Sequence, residues 1–288
     1  MNILIVGKNS YIGKHIGQYI LEQSPAAQVS YISVRDDGWK KTDLSCYDGV
    51  VFAAAIVHQK DITDPEIYHR INTLLPFEFA QKAKSEGVKR FLFLSTAGVY
   101  GQGKTLPQTN VIDANTPLEP VGLYGQSKLE AERMLQQLAD EQFLLTVVRP
   151  INVYGKNCPG NYLPQFTKLA KWLPVHPKAF IEAKQGLVHV RSLACLCYLA
   201  LNAECGGTYH AQDPEPVSTY EILQRLSQNL RIRRMGIPCH GVLMVLRRIS
   251  PVIKLFGGIA YDPALAVCPL GDYCQVDCKD GLLEMTKK

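Results

Sequence analysis

The chain has 288 residues, 47% of them hydrophobic and 20% charged, with a net charge of +5. This is an ordinary globular composition, enough for one large domain or a domain with a smaller lobe, and it excludes a disordered or fibrous chain. The positive excess is slight for the length and mostly scattered, which argues against nucleic acid as a partner.

The opening MNILIVG enters a strand pattern directly, with no basic leader and no small-residue cleavage site, so no export signal is expected. Residues 11–23, YIGKHIGQYILEQ, carry helical periodicity, and QVSYISV and GVVFAAAI read as the second and third strands. EIYHRINTLLPFEFAQKAKSEGV reads as one helix with Gly87 as its C-cap. RFLFLST is a strand, SKLEAERMLQQLADEQ a helix with charged and apolar faces, and LLTVVRP a further strand. Strands that are apolar throughout and alternate with helices predict a parallel sheet covered on both faces. The expected fold is α/β, a doubly wound parallel sheet of Rossmann type over residues 1–155. Beyond Gly155 the alternation loosens, and CPGNYLPQFTKLAKWLPVHPK opens a smaller C-terminal substrate lobe, residues 156–288, with some segments returning to the first domain.

Two later apolar stretches, GLVHVRSLACLCYLALNA and GVLMVLRRISPVIKLFGG, are interrupted by Arg or Lys and fall short of a clean run of about 20 apolar residues, so no membrane span is expected. MVLRRISPVIKLFGG is basic and apolar together. It reads first as a lobe helix with Arg247, Arg248 and Lys254 in solvent, the alternative being a segment lying on a membrane surface. Nine cysteines without an export signal point to a reducing compartment, the cytoplasm. Cys268, Cys274 and Cys278 lie near the C-terminus without paired spacing or a nearby histidine, so no metal site is expected.

IVGKNSYIGKHIG follows the first strand and opens the first helix, the context in which glycines mean phosphate binding. Gly7 allows the tight turn and Gly13 the close packing of helix on strand. Between them Asn9, Ser10, Tyr11 and Ile12 bring backbone N–H groups to the helix N-terminus, where the dipole favours a pyrophosphate. Ser10 replaces the usual middle glycine. The second strand ends SVRDDGWKKTD, with Arg35 about where an acid for the ribose of NAD, or an arginine for a 2′-phosphate, would stand. Lys40 and Lys41 follow, so the cofactor is expected to be NAD(P), leaning to NADP; Asp36 and Asp37 could reverse that preference.

In LYGQSKLEAERML, Tyr124 precedes Lys128 by four residues, which stacks the two on one helix face. Alone, that spacing also describes an exposed helix turn. Taken with the glycine turn, TDL, FAAAIVH, Asn72, FLSTAGVYG, RPINVYG and GGTYHAQDPEPVSTYEI, in this order, the chain resembles the extended short-chain dehydrogenases/reductases that act on nucleotide sugars, the NAD-dependent epimerase/dehydratase family. The resemblance covers nearly the whole chain.

It implies that Tyr124 is the acid/base, that Thr96 hydrogen-bonds the same substrate oxygen, and that Lys128 holds the nicotinamide ribose. It places Asp43 and Leu44 near the adenine. Ala53, Ala54, Ala55, Asn72 and Pro150 become cofactor contacts, and Asn152, Asn161 and Tyr162 substrate contacts. Ser95 could exchange roles with Thr96, and His58 and Tyr100 sit at strand ends with structural roles at least as open to them. A free tyrosine titrates near ~10, and a neighbouring ammonium and a positive nicotinamide ring would lower that value toward working pH.

The second lobe departs from the family. Arg191 stands at the usual acid position, and Lys184, Gln185, His189 and Arg191 are all imperfect candidates for the substrate diphosphate. Ala97 and Gly98 stand where family dehydratases carry an Asp-Glu pair. The resemblance therefore implies hydride and proton transfer at C4 of a nucleotide sugar. Arg35 tilts the expectation to a 4-keto-sugar reductase in surface-polysaccharide precursor synthesis, with a 4-epimerase as the alternative. A non-catalytic NADP-binding sensor is the alternative of another class. A homodimer through the helix carrying Tyr124 and its neighbour is also expected.

Overall fold

The computed structural model describes residues 1–57, 64–159 and 162–286. Six strands form the central sheet: β1 (Asn2–Val6), β2 (Gln28–Ile32), β3 (Gly49–Phe52), β4 (Arg90–Leu94), β5 (Leu144–Pro150) and β6 (Gly207–Ala211). They lie in the order β6-β5-β4-β3-β1-β2, every pair parallel. Successive residues of a strand face opposite sides, and in β1, β3, β4 and β5 both sides are buried. Ile3 and Ile5 join one core, Leu4 and Val6 the other. That is why these strands read as unbroken apolar runs.

The main helices are α1 (Tyr11–Gln23), α2 (Leu75–Ser85), α3 (Leu123–Gln136), α4 (Tyr162–Trp172), α5 (Val190–Asn202), α6 (Thr219–Asn229), α7 (His240–Val245) and α8 (Ser250–Phe256). Ile16 and Ile20 of α1 and Leu193 and Leu196 of α5 cover one face. Phe79 of α2 and Leu135 of α3 cover the other with Trp39, Phe52, Phe91, Phe93 and Phe143. Each such fully buried aromatic contributes roughly 2–3 kcal/mol by area removed from water.

The helix expected over residues 66–88 is broken. A short helix, Pro65–Tyr68, runs into a π-helical turn, His69–Leu74, before α2 begins. Pro76 has no N–H to return to residue 72, and its ring crowds that carbonyl; the wider turn relieves both. Gly87 does end the unit, at φ +86°. The turn carries Asn72 and Thr73 fully buried into the molecule.

A separate sheet joins Thr109–Ile112, which precedes β5, to three strands that follow it, Lys184–Gln185, Val217–Ser218 and Gly258–Tyr261. Phe166 of α4, Ile222, Leu223 and Leu226 of α6, and Leu282 make its core. The strand Asn152–Tyr154 pairs with Leu187–His189, after which α5 and β6 return to the central sheet.

Candidate active site

β1 lies between β2 and β3, so the chain departs from it to opposite sides, and the crevice at the strands' C-terminal ends is where an open α/β sheet takes a ligand. Gly7 ends β1 with φ +110°, and a Cβ there would lie 3.0 Å from the backbone nitrogen of Ala54. Only glycine holds that turn against the loop of Ala53, Ala54 and Ala55. Ser10 caps α1, its Oγ accepting the Gly13 N–H at 3.1 Å. The serine in place of the middle glycine thus fixes the helix start. Helix geometry leaves the N–H groups of Tyr11 and Ile12 without intrahelical acceptors, and no acidic residue opposes an anion in the first turn. Asn9 is exposed in the turn. Gly13 packs on Ile5, and the Tyr11 hydroxyl donates to the Lys156 carbonyl at 2.9 Å.

Beyond β2, Arg35 is exposed. The two acids beside it are engaged: Asp36 caps the turn Asp37–Lys41 by accepting from Gly38 N–H at 2.9 Å, and Asp37 pairs with Lys40 at 3.0 Å. Asp43 is exposed; its carboxylate accepts from Ser45, which holds it below the usual carboxylate range. Leu44 follows it in the chain. Its side chain is fully buried in the aromatic core and its N–H donates to Glu86 at 2.6 Å.

Asn72 is a clamp. Its Oδ1 accepts from Ile56 N–H at 2.8 Å and its Nδ2 donates to Ile56 carbonyl at 2.9 Å, which shapes the loop leaving β3. The same Nδ2 reaches Ser127 Oγ on α3 at 3.1 Å, and Thr73 donates to the Ser127 carbonyl at 2.8 Å. The π-helical turn therefore locks the cofactor loop to the helix that carries Tyr124.

Thr96 ends β4 and caps a turn, Ala97–Tyr100, accepting from Gly98 N–H at 3.1 Å. Its hydroxyl proton is still available to donate. Ser95 is buried and donates to Glu132, so it is not interchangeable with Thr96. A Cβ on Gly125 would fall 2.6 Å from the Gly98 carbonyl oxygen. The first turn of α3 thus meets the turn after Thr96 backbone to backbone, bringing Tyr124 and Thr96 to the same strand end.

Tyr124 is half-buried and burial pushes its hydroxyl up to about 12. Lys128 is 1% exposed; its Nζ donates to the Leu94 carbonyl at 2.7 Å and lies 4.3 Å from the Phe93 ring centroid. Burial pushes its ammonium down to about 7. The two groups are therefore shifted apart by desolvation, where the sequence led us to expect Tyr124 to be lowered. The pair is no exposed helix turn: Lys128 is pinned inside the fold.

Behind it lies a network that the motifs did not announce. Glu132, one further turn along α3, meets Arg149 of β5 at 2.5 and 3.1 Å. Arg149 donates to the Tyr100 hydroxyl at 2.9 Å, and Tyr100 meets His210 of β6 at 2.6 Å. Burial, then Arg149, push His210 down to about 4. The available signal was a lone arginine in the apolar strand LLTVVRP.

Pro150 is buried at the end of β5. Asn152 donates to the Gly186 carbonyl at 2.9 Å, so its amide nitrogen ties two strands. Among the diphosphate candidates, Gln185 is fully buried and donates to Thr219, His189 caps α5, and Arg191 pairs with Glu22 of α1 at 2.7 Å. Lys184 is exposed. His58 and Asn161 lie outside the described residues, as does the side chain of Tyr162, whose backbone opens α4.

The profile described as NAD dependent epimerase/dehydratase family matches residues 3–211. The chain belongs to that family. It is a nicotinamide-dependent enzyme by that membership. A UDP-glucose 4-epimerase from Vibrio cholerae is 26% identical over 247 residues, 78% of this chain and 75% of that protein. Other curated relatives are covered over only about half of their own length, 51% and 55% in two cases. Among solved structures, the UDP-glucuronic acid 4-epimerase from Bacillus cereus in complex with NAD superimposes with TM-score 0.74 at 19% identity, over 99% of this chain and 97% of that one. RMD from Pseudomonas aeruginosa complexed with NADPH gives 0.72 at 17%, over 99% and 97%. At such identities the likeness is one of fold.

Proposed function

We propose that this family member is a 4-epimerase of a sugar carried on a nucleoside diphosphate. The observation that carries the reading is the set Thr96, Tyr124 and Lys128, with one acid/base and no carboxylate in the turn after Thr96. That set suits interconversion of one alcohol and its ketone, and lacks the second acid an elimination needs. The UDP-glucose 4-epimerase matched over three-quarters of its length favours epimerisation over one-way reduction.

The cradle of Gly7, the free first-turn N–H groups of α1 and the clamped loop after β3 fit a dinucleotide. A bound nicotinamide supplies the hydride acceptor and donor and, when oxidised, a positive charge. Tyr124 takes the proton of the C4 hydroxyl as that carbon is oxidised and returns it when the carbon is reduced on the other face. Thr96 donates to the same oxygen, and Lys128, held by Leu94, supplies N–H donors for the ribose. With Tyr124 up to about 12 and Lys128 down to about 7, the positive ring is the charge that completes the site.

A second reading, an NADPH-dependent 4-keto-sugar reductase, is favoured by Arg35, whose acidic neighbours are already engaged. The cytoplasm, surface-polysaccharide precursors as the destination and a homodimer through α2 and α3 belong to this proposal, and light scattering tests the dimer. The deciding experiment denatures the purified protein and identifies any released nucleotide, then follows UDP-hexoses by proton NMR. Appearance of the C4 epimer without added cofactor supports epimerisation. Stoichiometric NADPH loss with a UDP-4-keto sugar, and no epimer, transfers the assignment to reduction. Retained cofactor with neither activity leaves the sensor.

A further inference from the structure

The lobe carries a surface that its own packing does not explain. Residues 222–261 contain no Asp or Glu, and residues 231–254 contain six Arg or Lys. Within this stretch the strand Gly236–Pro238 pairs with His176–Lys178, and α7 and α8 follow. Leu243 and Met244 of α7 and Val252 of α8 face inward, against Phe180 and Phe256. The outer side of α7 and of the strand before it is apolar as well. Val242 is 71% exposed, Val245 81% and Met235 78%, and Trp172, at the end of the helix that leads into the paired strand, 84%. These are four of the five large apolar side chains exposed by more than 70% among the described residues.

Scattered exposed apolar residues need no explanation, but a contiguous set does. Here Ile237 and Ile249 extend the set along the chain, and both are exposed. Arg233 and Arg234 precede α7, and Arg247 and Arg248 follow it, all exposed. A short apolar tip between two pairs of guanidinium groups, in a stretch of chain without an acid and with exposed Trp172 ending the helix that leads into its paired strand, has the chemistry of the boundary between headgroups and acyl chains. Neither helix can cross a bilayer: α7 has 6 residues and α8 has 7, and among the described residues no helix is long and apolar enough to span one. A second copy of this chain fits poorly, since a two-fold contact through this face would oppose two sets of cations.

We propose that the face formed by α7, α8 and the strand before them docks the enzyme on an anionic phospholipid bilayer, with Val242 and Val245 entering the headgroup boundary and the arginines holding lipid phosphates. This inference is independent of which sugar the active site takes.

The test is co-sedimentation of the full chain with vesicles. Vesicles of phosphatidylcholine with about one-third phosphatidylglycerol should pull the protein down, pure phosphatidylcholine should not, and salt should weaken the binding. A basic residue near such a surface is worth about 1 kcal/mol, or about fivefold, so R247Q/R248Q should weaken binding by about 25-fold. Val245→Asp should abolish it, with an unchanged thermal unfolding curve showing that the fold is intact. No binding to either vesicle, or equal binding to both, overturns the proposal. A soluble dimer in light scattering that Val245→Asp converts to monomer overturns it in favour of self-association.

Discussion

In the sheet domain ionisable groups turn inward. Lys128 is 1% exposed, and Glu132 and Arg149 are paired out of water behind Tyr124. In the lobe apolar groups turn outward, with Val242, Val245 and Met235 in solvent and arginines around them. Both arrangements work against stability. A buried charge carries a desolvation penalty of several kcal/mol before its partners offset it, and each exposed aliphatic chain forgoes roughly 1.5–3 kcal/mol of burial. A chain that breaks the same rule in two places, in opposite senses, has two sites where stability alone does not dictate the residues. The inward charges belong to chemistry and its support, the outward apolar groups to contact with something else.

The sharpest way to break this contrast is at Tyr124. Tyr124→Phe keeps the ring and removes the proton carrier, so turnover should fall by about 10²–10⁴ while the nucleotide content of the purified protein stays as it was. Unchanged turnover in a coupled epimerase assay would remove Tyr124 from the chemistry.

Next in size is the pair behind it. Glu132→Ala leaves Arg149 charged and buried without its carboxylate, and breaking a buried pair from one side costs about 3–5 kcal/mol. Urea unfolding should show that loss. A change below about 1 kcal/mol would mean that water or Tyr100 satisfies Arg149, and that the network is not a stiff support for α3.

Lys128 gives a pH test of the same interior. Its folded value, about 7, lies below the unfolded value near ~10.4. Between those values the unfolded chain binds the extra proton, so this group makes stability rise with pH across that window. Below pH 7 the full penalty of burying the ammonium is present; above about 10.4 it has gone. Against Lys128→Met, which cannot titrate, the parent should gain stability between pH 7 and 9.5 in paired urea melts. A difference flat across that range would show that the ammonium stays charged inside, held by Leu94 and Phe93.

The strands were legible because both faces of β1, β3, β4 and β5 are buried, which leaves an unbroken apolar run. The approach of Tyr124 to Thr96 was half-legible: the i,i+4 spacing stands in the sequence, whereas the contact of Gly125 on Gly98 that sets their neighbourhood does not. Three features were hidden for physical reasons. Pro76 opens a π-helical turn that helical periodicity does not distinguish from an ordinary helix. Leu44 looks like any residue after an aspartate until the aromatic core around Trp39 and Phe79 closes over it. Glu132 and Arg149 are 17 residues apart on different elements, so only the oddity of an arginine in an apolar strand pointed to a partner.

The smallest expected effect is the one that separates the two regions. Arg247 and Arg248 are exposed, and the contact recorded for Arg247 is with the Met244 carbonyl of its own helix end, at 3.1 Å. Replacing both by Gln should move stability by no more than about 0.5 kcal/mol, as for surface positions generally. It should also leave turnover on a soluble nucleotide sugar unchanged. If R247Q/R248Q instead destabilised the protein as much as Glu132→Ala, the arginines would be part of the lobe's own packing, and the outward apolar face would lose its charged frame. If stability and soluble turnover are both untouched, whatever these residues do is done at a boundary with a second phase or molecule, which folding and the C4 chemistry do not require.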